Sequence, residues 1–216
     1  MPALDKVTGV AAPILKDNIS TDTIAPMFRR ATTGGGRQFA HSEEDQAKQA
    51  FANWRWDAHD NPLPDFILNR PPYDKARFIL AGANFACGSS RETAVTYLRA
   101  FGVRCVVAPS FGGIFYDNCF RNAMLPLIQA REIVERLAAL SQNGAVFALD
   151  VTAGTLTAPD GTVITFDLPS FRREALLSGA DEVAVTLRRA DEIARWQETT
   201  RQLRPWAYPT PRSSPS

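Results

Sequence analysis

The chain has 216 residues, 45% of them apolar, with 24 Lys and Arg against 23 Asp and Glu and a formal net charge of +1. That length can bury a sizeable core as one domain, and the charge balance supplies no basic excess for nucleic acid or an anionic membrane. No stretch approaches the roughly 18 apolar residues of a spanning helix. The run Val7 to Leu15 follows Asp5 and is interrupted by Pro13, unlike a signal peptide, so a cytoplasmic location is expected.

The segment Val7 to Ile14 reads as an opening strand, and Asn18 to Thr23 as a turn of short polar side chains. Thr32 to Arg37 holds three consecutive glycines and predicts a mobile loop. Between His41 and Trp56, Ala47, Ala50, Phe51 and Trp54 recur at spacings of three and four, which predicts a short amphipathic helix. Prolines 62, 64, 71 and 72 then break regular structure.

Two similar units follow. Arg77 to Ala83 predicts a buried strand, Asn84 to Ser90 a turn, and Arg91 to Phe101 a helix stopped by Gly102. Val103 to Ala108 predicts a second strand, and Gly112 to Asn122 a second helix with Ser110 as a cap candidate. Strand, helix and strand in succession imply a parallel crossover. Arg131 to Gln142 carries Ile133, Val134, Leu137 and Leu140 on one helical face. Val146 to Thr157 and Val163 to Leu168, around Pro159-Asp-Gly161, predict a C-terminal β-hairpin, and Ser170 to Ser178 and Ala190 to Leu203 two last helices. We take residues 1–204 as one domain and the Pro- and Ser-rich 205–216 as a flexible tail.

Chemistry concentrates in Asn84-Phe-Ala-Cys-Gly-Ser-Ser-Arg-Glu92, between an apolar strand and a helix. If Ser89 or Ser90 caps that helix, its free first-turn N–H groups and positive dipole end favour a carboxylate or phosphate. Arg91 adds a planar fork for two parallel bonds to a carboxylate, and Glu92 can cap or restrain the arginine. Gly-Ser-Ser before a helix is also an ordinary structural cap. Cys87, Cys105 and Cys119 form no CxxC and have no histidine nearby, so neither a disulfide framework nor a zinc site is expected. His41 and His59 sit in no motif and are read as surface residues; Trp54, Trp56, Phe66 and Tyr73, without a basic stripe, are read as core or subunit interface.

The string Asn84 to Glu92 resembles the signature of the aconitase swivelling domain, particularly of 3-isopropylmalate dehydratase small subunits. Ser20-Thr-Asp-Thr-Ile-Ala-Pro26, Trp54-Arg-Trp56 followed by Pro64 to Asn69, Val106 to Phe111, Ile114 to Phe120, Phe171-Arg-Arg173 and Gly179-Ala-Asp181 continue the resemblance in order over about residues 7 to 200. It implies an α/β fold, an aconitase-type swivelling β/β/α domain with a partly parallel sheet. It also implies a hydro-lyase of leucine biosynthesis that isomerises a 2-hydroxy dicarboxylic acid by dehydration and rehydration, active only with its large subunit.

By the same resemblance this chain binds no metal or cofactor, and a [4Fe–4S] cluster is held by three cysteines of the large subunit. Ser89 would be the base that takes the proton next to a carboxylate. Ser90 and Arg91 would hold the substrate, Asp22 would orient Arg91 or a bound water, and Gly88 and Glu92 would support the turn. One of two loop arginines, Arg30 or Arg37, would also grip substrate. Between Gly36 and Trp54 the chain departs from the pattern by the added piece Ser42 to Gln49, beside where the substrate side chain should lie. Alternatives are a related hydratase subunit acting on citraconate and 2-methylmalate, and a non-catalytic anion-binding assembly module.

Overall fold

A computed structural model of the chain describes residues 3–26, 42–88, 91–179, 186–187 and 189–208. It divides into two compact units, Met1–Gly179 and Ala180–Ser216.

The first unit is built on one seven-stranded mixed sheet in the order β4-β3-β2-β1-β5-β6-β7. β1 (Lys6–Ile14) is where its two halves meet. Ala11 to Ile14 run parallel to β2 (Phe78–Ala81), whereas Lys6 to Val10 pair antiparallel with β5 (Val146–Asp150). β3 (Cys105–Ala108) and β4 (Leu125–Ile128) extend the parallel side. β6 (Thr155–Thr157) and β7 (Val163–Thr165) extend the antiparallel side.

The predicted strands over 7–14, 77–83 and 103–108 are present, one further strand is added, and one expectation changes. Leu125–Ile128 is a strand despite Pro126, which is tolerated because β4 is the sheet edge. The C-terminal β region is a three-stranded meander instead of one hairpin. Asp150 Oδ1 accepts the N–H of Ala153 at 2.7 Å, and the chain reverses before Gly154 (φ 67°), inside what reads as one alternating run.

Side-chain alternation along the strands builds two core layers. Ala12, Ile14, Ile79, Ala81, Val106 and Ala108 face one way, onto Ala94, Val95 and Leu98 of α4 (Glu92–Phe101) and Phe115 and Cys119 of α5 (Gly113–Arg121). Phe78, Leu80, Cys105, Val107 and Leu125 face the other way. They join Val134 and Leu137 of α6 (Arg131–Leu140), Phe147, Leu149 and Leu156 of the antiparallel half, and Leu176 of α7 (Ser170–Ser178).

The segment read as one helix over 41–56 is two, α2 (Glu43–Gln49) and α3 (Ala52–Arg55), preceded by the short α1 (Thr21–Ile24). Phe51 adopts φ 52° at the break, where its ring is fully buried beside Trp54 and Phe66. Buried Arg55 donates from Nη1 to the carbonyls of Ala47 and Ala50 at 2.8 and 3.4 Å, and from Nε to Asn69 Oδ1 at 3.0 Å. The tertiary packing of Phe51 and Arg55 therefore overrides the helical period. The piece Ser42 to Gln49 is α2 with its cap, a reciprocal capping box between Ser42 and Asp45.

In the second unit α8 (Ala190–Leu203) opens with an Arg189–Glu192 pair at 2.7 Å and is followed by a 3-10 turn, Pro205–Ala207. No helix among the described residues is long and apolar enough to cross a membrane.

Candidate active site

Parallel strands present their carboxyl ends on one side of a sheet, and the connections leaving those ends are where α/β proteins place ligands. Here the loops after β1, β2 and β3 are joined there by backbone bonds. Cys87 N–H donates to Ile19 O at 3.2 Å and Thr21 N–H to Cys87 O at 2.8 Å. Phe85 N–H donates to Ser110 O at 3.0 Å, and Gly112 N–H returns to Phe85 O at 2.8 Å. The two strings singled out by sequence, Ser20 to Pro26 and Asn84 to Glu92, thus lie side by side.

Each loop is shaped locally. Ser20 caps α1 by accepting from Thr23 N–H at 3.2 Å, which puts Asp22 in the first helical turn. Asn84 and Asn18 both take left-handed backbone (φ 55° and 56°), a conformation asparagine tolerates, and bond to each other at 2.8 Å. Ala86 does so without that tolerance (φ 57°), a locally strained position inside the motif. Gly88 follows at φ 95°, a value that favours glycine.

Arg91 enters from the other side. The N-cap position of α4 is Arg91 itself, with extended backbone and no side-chain cap bond, so the expectation of a serine cap is corrected. Its Nη1 meets Asp22 Oδ1 at 2.5 Å and donates to Ala25 O at 3.2 Å, and its side chain is four-fifths buried. Both bonds use one terminal nitrogen, and the guanidinium fork offers further donors on its other edge. Asp22 and Arg91, 69 positions apart in sequence, are therefore brought together.

Glu92 does not restrain Arg91: it accepts from Nδ2 of buried Asn122 at 3.1 Å, tying the start of α4 to the end of α5. Ser89, Ser90, Arg30 and Arg37 lie outside the described residues, as do the glycine run 34–36 and His41. A cleft of about 190 Å³ is lined by Asp22, Thr23, Asn53 and Trp54. Lys16 Nζ stands 5.2 Å from the centroid of the Trp54 ring. Sequence reasoning did not single out Lys16, Asn53 or Asn122; Asn122, a polar residue closing a helix just before an apolar strand, carried the only local signal.

The thiols do not form a cluster-ligand set. Cys105 and Cys119 are fully buried, and desolvation raises both well above the usual thiol range. Cys87 is half-buried, and among the described residues no three His, Cys, Asp or Glu side chains gather where they could hold a metal ion.

A mixed sheet with covered parallel strands, and a glycine turn and helix start at their carboxyl ends, is an α/β arrangement with a ligand site of the kind such sheets carry. The family model described as the aconitase C-terminal domain matches residues 1–132. Curated proteins called 3-isopropylmalate dehydratase small subunit align along nearly the whole chain. Those of Parvibaculum lavamentivorans and Jannaschia sp. are each 40% identical over 210 residues, covering 95% of this chain and 100% of the relative. That of Agrobacterium fabrum is 40% identical over 212 residues, covering 96% and 100%. The chain belongs to the family of 3-isopropylmalate dehydratase small subunits. The crystal structure of 3-isopropylmalate dehydratase from Methanocaldococcus jannaschii shares its fold, with a TM-score of 0.59 at 23% identity over 88% of this chain and 98% of that one.

Proposed function

We propose that this chain is the small subunit of 3-isopropylmalate dehydratase, a cytoplasmic hydro-lyase that interconverts 2-isopropylmalate and 3-isopropylmalate in leucine biosynthesis and is active only with its large subunit. The observation that carries the reading is the Arg91 guanidinium, anchored through Nη1 by Asp22 and Ala25 beside the Gly88 turn. An arginine so held keeps the geometry to grip a planar carboxylate, which a lysine cannot reproduce.

Arg91 and Ser90 hold one substrate carboxylate, with Arg30 or Arg37 as a second grip. Asp22 orients Arg91, while Gly88 and Glu92 set the turn and the helix start. Ser89 takes the proton from the carbon beside the carboxylate, the C–H electrons form the double bond, and the hydroxyl departs. In rehydration the hydroxyl adds to the carbon that lost the proton, and Ser89 returns its proton to the neighbouring carbon that lost the hydroxyl. A serine alkoxide needs nearby positive potential, which the start of α4 and Arg91 supply. Lewis-acid chemistry at the hydroxyl is assigned to a [4Fe–4S] cluster of the large subunit, and no residue of this chain is assigned to it.

The test is reconstitution with the family's large subunit and an assay of 3-isopropylmalate isomerisation, for the wild type and for Arg91→Lys. The wild-type complex is expected to be active and either chain alone inactive. Arg91→Lys should raise KM on the order of ten- to a hundred-fold, the value of a charge-assisted bond. A wild-type complex inert toward isopropylmalate but active on 2-methylmalate would move the substrate assignment, and unchanged KM in Arg91→Lys would remove Arg91 from the site.

A further inference from the structure

The turn that carries Gly88 and Arg91 is approached from below by a carboxylate outside every motif above. Asp17, three residues past β1, accepts the N–H of Ala83 at 2.7 Å through Oδ1. Both of its oxygens also accept from Nη2 of Arg131, the first residue of α6, at 3.0 and 2.8 Å. The Arg131 bond, followed by the Ala83 N–H, holds this carboxyl below the usual carboxylate range. Its seat is close: a Cβ on Gly82 would stand 2.4 Å from Asp17 Oδ1 and 2.5 Å from the Lys16 carbonyl, so only glycine fits there.

Above Asp17 the contacts continue as rungs. Asn18 N–H donates to Ala83 O at 2.9 Å, Cys87 N–H to Ile19 O at 3.2 Å, and Thr21 N–H to Cys87 O at 2.8 Å. Asp17 is the lowest rung of this ladder, and the next residues at its far end are Asp22 on one rail and Gly88 on the other. The Arg131 and Asp17 side chains are 45% and 42% exposed, a setting in which an ion pair adds little to stability. What the pair fixes is where the second loop starts relative to the first.

We infer that Asp17, braced by Arg131, is a positioning residue that latches the loop after β2 against the loop after β1 and so sets the Arg91–Asp22 grip on substrate. The inference rests on the reading of Arg91 as a carboxylate binder, but the latch itself is measurable without substrate. In the full-length chain, Asp17→Ala should speed amide hydrogen exchange at Ala83 and Cys87 on the order of ten-fold while leaving β3 unchanged. In the complex with the large subunit, the same variant should raise KM on the order of ten-fold.

Asp17→Asn keeps an oxygen for the Ala83 N–H and should restore most of both properties. Arg131→Ala, a change on the surface of α6, should reproduce the KM rise in part even if Asp17→Ala folds poorly. A role confined to stability would lower the amount of folded complex but leave KM at the wild-type value. Wild-type exchange in Asp17→Ala overturns the latch, and altered exchange with unchanged KM overturns its link to substrate. A wild-type complex without dehydratase activity defeats the functional reading instead, and exchange still decides the latch.

Discussion

The two halves of the sheet are built on different terms. β2 and β3 are buried at every position, with α4 and α5 on one face and α6 on the other. β5 and β6 alternate between buried and partly exposed side chains, and β7 has no buried residue. A parallel sheet needs crossovers that cover both faces, and it sends all its strand ends to one side; an antiparallel meander needs neither. Loops therefore converge at the carboxyl ends of β1, β2 and β3, where Asp22, Gly88 and Arg91 meet. The antiparallel half contributes core through Phe147, Leu149 and Leu156 but no residue to that place. One half carries the proposed site and the other supports it.

The largest effect that could break this division is at Ser89. Arg91 occupies the N-cap position of α4, and Ser89 lies outside the described residues. If Ser89 is the base, Ser89→Ala should lower kcat roughly 10²- to 10⁴-fold in the assembled enzyme, the range for loss of a general base, whereas a residue that only caps would cost about 1 kcal/mol of stability and leave turnover nearly unchanged. Steady-state rates together with a melting curve decide it: near wild-type turnover would leave the parallel half without its base.

Next comes a change in the supporting half. Leu156 on β6 is fully buried, and Leu156→Ala should cost about 2–5 kcal/mol in urea unfolding. Because β6 lies two strands from β1, KM of the folded enzyme should be unchanged. A shifted KM at full folding would mean that the antiparallel half shapes the site after all.

The same division governs what was legible in the sequence. Phe78 to Ala81 and Cys105 to Ala108 read as strands because burial on both faces leaves an unbroken apolar run. β4 was not assigned from sequence, since a proline in a short apolar run is acceptable only at a sheet edge, and edge position is a property of the whole sheet. The break between α2 and α3 was hidden because the carbonyls at the end of α2 are satisfied by Arg55, whose placement depends on Asn69 and the Phe51 cluster. Of the proposed site, Asp22, Gly88 and Arg91 were named from local strings, and the structure brings Asp22 and Arg91 together. Asp17 with Arg131, 114 residues apart, and Asn122 with Glu92, 30 apart, were not, since each pair exists only after the sheet has brought its strands together.

The smallest effect separates the core of the parallel half from its rim, using the three cysteines as reporters. Cys105 on β3 and Cys119 on α5 are fully buried, and desolvation raises both thiols. A raised pKa leaves the reactive thiolate scarcer at any given pH, and burial also blocks the approach of a reagent, so both effects have the same sign. Cys87 belongs to the loop after β2 and is half-buried. In the isolated native chain at about pH 8, just below the ordinary thiol range, iodoacetamide should add a single label, at Cys87, and unfolding in urea should expose the other two. Intact mass and peptide mapping read this directly. Labelling of Cys105 or Cys119 as fast as Cys87 under native conditions would mean that the parallel half opens readily, and that the loops at its strand ends stand on a less rigid base than its two-sided burial implies.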